Sequence, residues 1–140
     1  MKFSAVFLFF ILLLFPFSFA TVKWSLATAE AISGKGVLAS GNAIFASYNG
    51  KVYAVNTTNG ITTWTYDSGG KIILEPYLAG ESIVAVASSK GKLALISTED
   101  GKALVERQFP QPPVTLAAGG GMVFLAFEGN ATALDLNGTV

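Results

Sequence analysis

Apolar residues come along this chain in runs of four to seven, each stopped by glycine or by an Asn-Gly or Asp-Gly pair. Short runs of this kind predict strands, and the stops predict hairpin turns, because these residues tolerate the backbone that tight turns impose. A first unit reads as strands near Gly36–Ala39, Ala43–Ser47, Lys51–Asn56 and Thr62–Asp67. A second reads as Leu74–Leu78, Ser82–Ser88, Lys92–Ser97 and Ala103–Gln108, with Pro76 placing its first strand at a sheet edge or marking that strand's end. A third gives Val114–Ala118, Met122–Glu128 and Ala131–Leu136, and Pro110, Pro112 and Pro113 fall in the link before it.

The units are copies of one another. Gly50-Lys51-Val52-Tyr53-Ala54-Val55-Asn56 matches Gly91-Lys92-Leu93-Ala94-Leu95-Ile96-Ser97 at an offset of 41, and Asn59-Gly60 precedes Asp100-Gly101 by the same 41. Gly129 to Asp135 repeats the pattern at an offset of 38 and reaches its own turn at Asn137-Gly138, while Trp24 precedes Trp64 by 40. A repeat of about 40 residues is the mark of an array of similar small modules.

Ile83 to Ala87 and Met122 to Phe127 are apolar at every position, so both faces of these strands must be covered. The links are too short for crossover helices, which leaves small antiparallel sheets stacked face to face. Alanines at 46, 54, 85, 87, 94 and 133 allow close approach. The expectation is all-β: four-stranded antiparallel blades of a β-propeller, about three of them, forming an incomplete ring. The blades are expected near 36–67, 74–108 and 114–136, with an isolated opening strand at Val22–Leu26 around Trp24. One opening strand and a last unit of three would together make one complete blade.

The stretch KVYAVNTTNGITTW at 51–64 and the stretch ATALDLNG at 131–138 resemble the repeat of the pyrroloquinoline-quinone-type propellers. That repeat runs roughly Val-Tyr-Ala-Leu-Asp, two or three residues, Gly, three residues, Trp, and the resemblance covers nearly all of residues 22–140. It implies that Trp64 and Trp24, on outer strands, lie against the following blade and dock over its glycine turn. Trp24, Trp64, Gly60, Gly101 and Gly138 are therefore the expected structural docking residues. Val105 stands where the second unit should carry tryptophan, which weakens that junction.

Three blades are fewer than the four to eight a propeller normally closes with. Three resolutions stand open. The chain is part of a longer propeller; or it associates with itself, two copies giving six blades; or it is an open array whose edge another protein protects. The second requires a heterologous contact that closes.

Residues 1–20 form a separate domain. Lys2 precedes an almost unbroken apolar run from Phe3 to Phe19, and Ser18-Phe19-Ala20 offers a small-x-small cleavage site. This reads as a secretory signal peptide, or, if uncleaved, as an N-terminal membrane anchor through residues 3–19. Either way the remainder, residues 21–140, is expected to be exported and to reside in an extracellular, periplasmic or cell-surface location.

Composition narrows the chemistry. With 9 basic and 9 acidic residues the charges cancel, so nothing draws the chain to nucleic acid or to an anionic membrane surface. There is no cysteine, hence no disulfide in spite of export, and no histidine, which removes the usual neutral-pH acid/base and metal ligand. Glu99-Asp100 reads as a solvated hairpin turn and no acidic spacing fits a calcium loop. Gly119-Gly120-Gly121 precedes a strand and lacks the residues of a phosphate loop. No catalytic, cofactor-binding or metal-binding residue is assigned. Asn56, Asn130 and Asn137 begin sequons and are candidate N-glycosylation sites if the exported chain meets the modifying machinery.

The expected function is a non-catalytic exported propeller-repeat module serving as a protein-binding scaffold, as some members of the resembled family do. The alternatives are a fragment of a quinoprotein oxidoreductase, whose pyrroloquinoline quinone and calcium ligands lie in other blades, and a glycosylated cell-surface structural protein. Expected partners are a protein or further blades, including a second copy of the chain.

Overall fold

The computed structural model describes residues 21–140, so the expected signal peptide or anchor at 1–20 lies outside the described residues. Each unit of the sequence becomes one antiparallel sheet, because its strands are joined by turns too tight to reach beyond their neighbours. The first sheet runs β1 (Val37–Ala39), β2 (Asn42–Ala46), β3 (Lys51–Asn56), β4 (Thr62–Asp67) in that spatial order. The second runs β5 (Tyr77–Gly80), β6 (Ile83–Ala87), β7 (Lys92–Ser97), β8 (Ala103–Gln108). The third has β9 (Thr115–Gly119), β10 (Met122–Phe127) and β11 (Asn130–Asp135), leaving β11 at its edge. These are propeller blades, and among the described residues there is no helix.

Successive residues of a strand point to opposite faces, so each sheet has a leading face toward the next blade and a trailing face toward the previous one. Ile44, Ala46, Val52 and Ala54 on the leading face of the first sheet pack against Val84, Val86, Ala94 and Ile96 on the trailing face of the second, with Trp64 and Ile72 completing the cluster. Ala85, Ala87, Leu93 and Leu95 then pack against Leu116, Val123, Leu125 and Leu134 of the third sheet. This is why the central strands are apolar at every position. Both faces of the second sheet are dry, and each large aliphatic side chain so buried contributes about 1.5–3 kcal/mol.

Beyond shifts of a single residue at strand ends, the strands differ from the sequence reading in two places. Pro76 stands just before β5, not within it: with no N–H to give the ladder, it can only precede the pairing, and it is buried there. The opening strand expected at Val22–Leu26 does not form, since among the described residues it has no ladder partner. The segment lies on the first blade, whereas the open edge that could pair with it, β11, is two sheets away.

That segment nevertheless follows a defined path. Ala31 O accepts a hydrogen bond from Tyr48 N at 2.9 Å, as Lys71 O accepts one from Ser89 N at 2.7 Å one repeat later. Ile32 bridges to Ser47. Residues 24–32 thus lie on the first blade as residues 64–72 lie on the second.

Candidate functional site

The residues singled out in the sequence meet at the junctions between blades. Trp64 leaves β4 opposite Ala54 and extends its ring over the turn after β7. A Cβ placed on Gly101 would come within 2.6 Å of the indole, and Gly101 has φ +74. Only glycine combines that backbone with that proximity. The indole N–H donates to Thr98 O at 3.0 Å, a buried bond that fixes the ring's orientation.

The same arrangement occurs one repeat earlier. Trp24 sits over Gly60, whose hypothetical Cβ would fall 2.4 Å from it, and its indole N–H donates to Thr57 O at 3.1 Å. At the third turn Val105 takes the place of the ring, with Cγ1 2.6 Å from a Cβ on Gly138. The weakened contact has a replacement that sequence reading did not foresee: Arg107 Nε donates to Gly138 O at 2.8 Å. Arg107 carried no signal because β8 otherwise reads as an ordinary exposed outer strand.

Polar links join the blades at their outer strands. The Tyr66 hydroxyl on β4 donates to Glu106 on β8, and Lys92 donates to the same Glu106 oxygen at 3.2 Å. Burial, and then the bond to Glu106, raises the Tyr66 pKa, while the bonds from Tyr66 and Lys92 lower that of Glu106. Elsewhere Ser40, at φ 50 in the β1–β2 turn, meets Thr98 Oγ1 at 2.8 Å.

Asp100, next to Glu99 in the second turn, pairs with Lys102 at 2.8 Å, and that hydrogen bond leads the effects that lower its pKa to about 2. Its carboxylate also accepts from the Lys102 amide, so the pair is engaged in the turn itself. Among the described residues no group of three His, Cys, Asp or Glu side chains converges as a metal site. Of the sequon asparagines, Asn56 accepts from the amides of Thr58 and Asn59 in the β3–β4 turn, while Asn130 opens β11 and Asn137 lies exposed in the turn beyond it.

Among the described residues, apolar surface is open at both ends of the stack. The leading face of the third sheet carries Ala117, Phe124, Ala126, Ala131 and Ala133, and all but Ala117 stand at positions that are buried in the first two blades; Phe124 is 49% exposed where Ile44 and Ala85 are fully covered. At the opposite end of the stack, Trp24, Leu26, Ile32 and Phe45 line an apolar cleft of about 220 Å³. A second cleft, about 170 Å³, lies by the tilted pair Phe109–Phe127, whose ring centroids are 5.1 Å apart, and beside Asn130.

The family model described as outer membrane protein assembly factor BamB matches residues 20–140. Among solved structures the chain is similar to BamB from Moraxella catarrhalis, at 15% identity and a TM-score of 0.68 over 84% of this chain and 38% of that one. It is also similar to the computationally designed proteins Ika4 (16% identity, TM-score 0.69, 85% of this chain and 75% of that one) and Ika8 (16% identity, TM-score 0.62, 76% and 34%). No curated protein matches the sequence. The chain spans 38% of the length of the Moraxella BamB chain it resembles.

Proposed function

This chain belongs to the family of the outer membrane protein assembly factor BamB, and from that membership we propose that it is a non-catalytic, exported propeller-repeat module that holds a protein partner. The family match over residues 20–140 is the observation that carries the reading. The apolar run before residue 20 supports export. The lack of histidine and cysteine supports a binding role over catalysis, since neither a neutral-pH base nor a thiolate is available. A rim of the stack offers apolar contact: Tyr48, in the β2–β3 turn, is 37% exposed, and Ile73, in the link before β5, is 47% exposed. Aromatic and aliphatic anchors of this kind, set among polar turns, are what protein interfaces use.

The test is expression of the full chain with a photo-crosslinking residue in place of Tyr48 or Ile73. The expected result is a mature mass starting at Thr21, recovery outside the cytoplasm, and one discrete protein adduct from each position. Redox turnover with added pyrroloquinoline quinone and calcium, or retention of the chain in the cytoplasm, would overturn the reading.

A further inference from the structure

In each sheet a link from upstream runs past the turn between the second and third strands, and at the third sheet it does so differently. Ala31 O accepts from Tyr48 N at 2.9 Å and Lys71 O from Ser89 N at 2.7 Å, which clasps link to turn on the first two blades. Ser68 N and Phe109 N bond to Gly50 O and Gly91 O, so the two later links align and Pro112 is the counterpart of Lys71. Three residues separate Ser47 from Lys51 and Ser88 from Lys92, but only Glu128 and Gly129 separate Phe127 from Asn130. This shorter turn makes no clasp: among the described residues no backbone hydrogen bond joins it to Pro112.

The same alignment puts Phe109 in the place of Ser68 and Phe127 in the place of Ser88. Both serines are buried, and Ser68 Oγ donates to Gly70 O at 2.6 Å, drawing its link inward. Two rings replace them at the next junction, and Pro110, Pro112 and Pro113 replace Gly69, Lys71 and Ile72. The cleft of about 170 Å³ beside Phe109 and Phe127 is the result. Proline restricts the link's backbone, so the cleft is formed before anything binds, which lowers the cost of binding. Its volume is below the roughly 300–1,000 Å³ of sites that enclose small-molecule ligands and suits one side chain.

The walls are of two kinds. Phe109, Phe127 and Pro110 offer ring faces, while Gln111, Asn130 and Thr132 offer oxygen acceptors, and Glu128 carries the only charge of the lining. Among the described residues no cation pairs with Glu128, and Lys90 of the neighbouring turn carries its stem over Gly70, at the first junction. We propose that this cleft receives an arginine side chain from a partner protein. A guanidinium is flat, stacks on aromatic faces and presents five donors in a fixed fork, so it uses the rings, the carboxylate and the amide oxygens together. An acidic side chain would meet Glu128 as a like charge. The inference rests on the partner-binding reading and gives it a chemistry: Glu128 opens its turn as Tyr48 opens that of the first blade. Asn130 and Thr132 stand opposite Phe127 and Leu125, on the side facing the second sheet, so the site does not turn on what covers the leading face.

Titration of the purified, isotope-labelled chain with N-acetylarginine amide, followed by amide nuclear magnetic resonance, tests it. Saturable shifts are expected at Gln111, Phe127, Glu128, Gly129 and Asn130. N-acetylcitrulline amide has the same shape without the charge and is expected to bind at least about tenfold more weakly, the effect of losing a charge-assisted hydrogen bond. Glu128→Gln, in an exposed turn, should bring the same loss, and Glu99→Gln, in an exposed turn that does not line the cleft, should bring none. No saturable shift, equal binding of the citrulline compound, shifts spread evenly over the acidic turns, or indifference to Glu128→Gln would overturn the proposal. The two readings fail separately. Discrete adducts at Tyr48 and Ile73 with a silent cleft sink the arginine site alone, whereas a cleft that binds the probe in a chain yielding no adduct upholds the site and sinks the Tyr48–Ile73 rim.

Discussion

Trp64, on an outer strand, and Gly101, in a turn of the next blade, are held so closely that the turn residue cannot gain a side chain without displacing the ring. The glycine's φ of +74 and the 2.6 Å approach of the indole are separate constraints on the same site. Gly101→Ala is expected to cost at least about 1–3 kcal/mol from backbone strain alone, with the clash adding to it. Gly119→Ala, where nothing lies within 4 Å and φ is ordinary, is the control and should be close to neutral. Urea midpoints at unchanged m-value would separate the two.

Trp64→Phe keeps most of the apolar contact but removes the N–H that satisfies Thr98 O. Leaving that buried acceptor unpaired is expected to cost about 1–3 kcal/mol. Trp24→Phe, whose bond to Thr57 O is exposed, should cost less in the same measurement.

The weak junction at Val105 can be rebuilt only with its partner. Val105→Trp alone places an indole opposite Leu95 where Trp64 has Ala54, and overpacking should destabilise the chain by about 1–3 kcal/mol. Adding Leu95→Ala recreates the first junction and should recover stability, with a favourable coupling of about 0.5–3 kcal/mol in a double-mutant cycle. A double variant whose loss is simply the sum of the two single losses would show that the pairing does not set the choice of residue.

Stability should fall in alkali through Tyr66. Its folded pKa is raised, first by burial and then by its bond to Glu106, so the contribution is complete below the unfolded value of about 10 and is lost as pH rises from there through the folded value. Glu106 is lowered and acts in the opposite sense: its contribution is present above the ordinary carboxylate range and is lost as pH falls through its folded value. Tyr66→Phe should flatten the alkaline limb of a plot of urea midpoint against pH, and it should also shrink the acid limb, because Glu106 loses its leading bond.

The blade architecture was legible because the turn glycines recur at a fixed interval and the strands between them are apolar on both faces. The family resemblance was legible for the same reason, in residues 51–64. What stayed hidden depends on sheet neighbours that spacing does not reveal. Val22–Leu26 has the composition of a strand, but a strand needs a partner for its backbone and this one pairs with none among the described residues. Pro76 reads as part of a strand in a one-dimensional pattern, and only the pairing of Tyr77 with Ala85 shows where the ladder starts. Arg107 and the Tyr66–Glu106 link were invisible because exposed polar residues on outer strands look alike until the next blade is placed beside them. The open leading face was concealed by its alanines, which mark close packing without saying whether the packing partner is present.

The grip of a ring in one module on a turn in the next has a further consequence for how such a gene can change. Excising residues 60–100 would bring Trp24 over the turn at Gly101 in place of Gly60, so a cut of one whole period retains the pairing of ring with glycine. Losing half that length would leave a ring facing a side chain. Insertions and deletions should therefore survive selection in whole-period steps, and the number of modules can drift more freely than the length of any one of them.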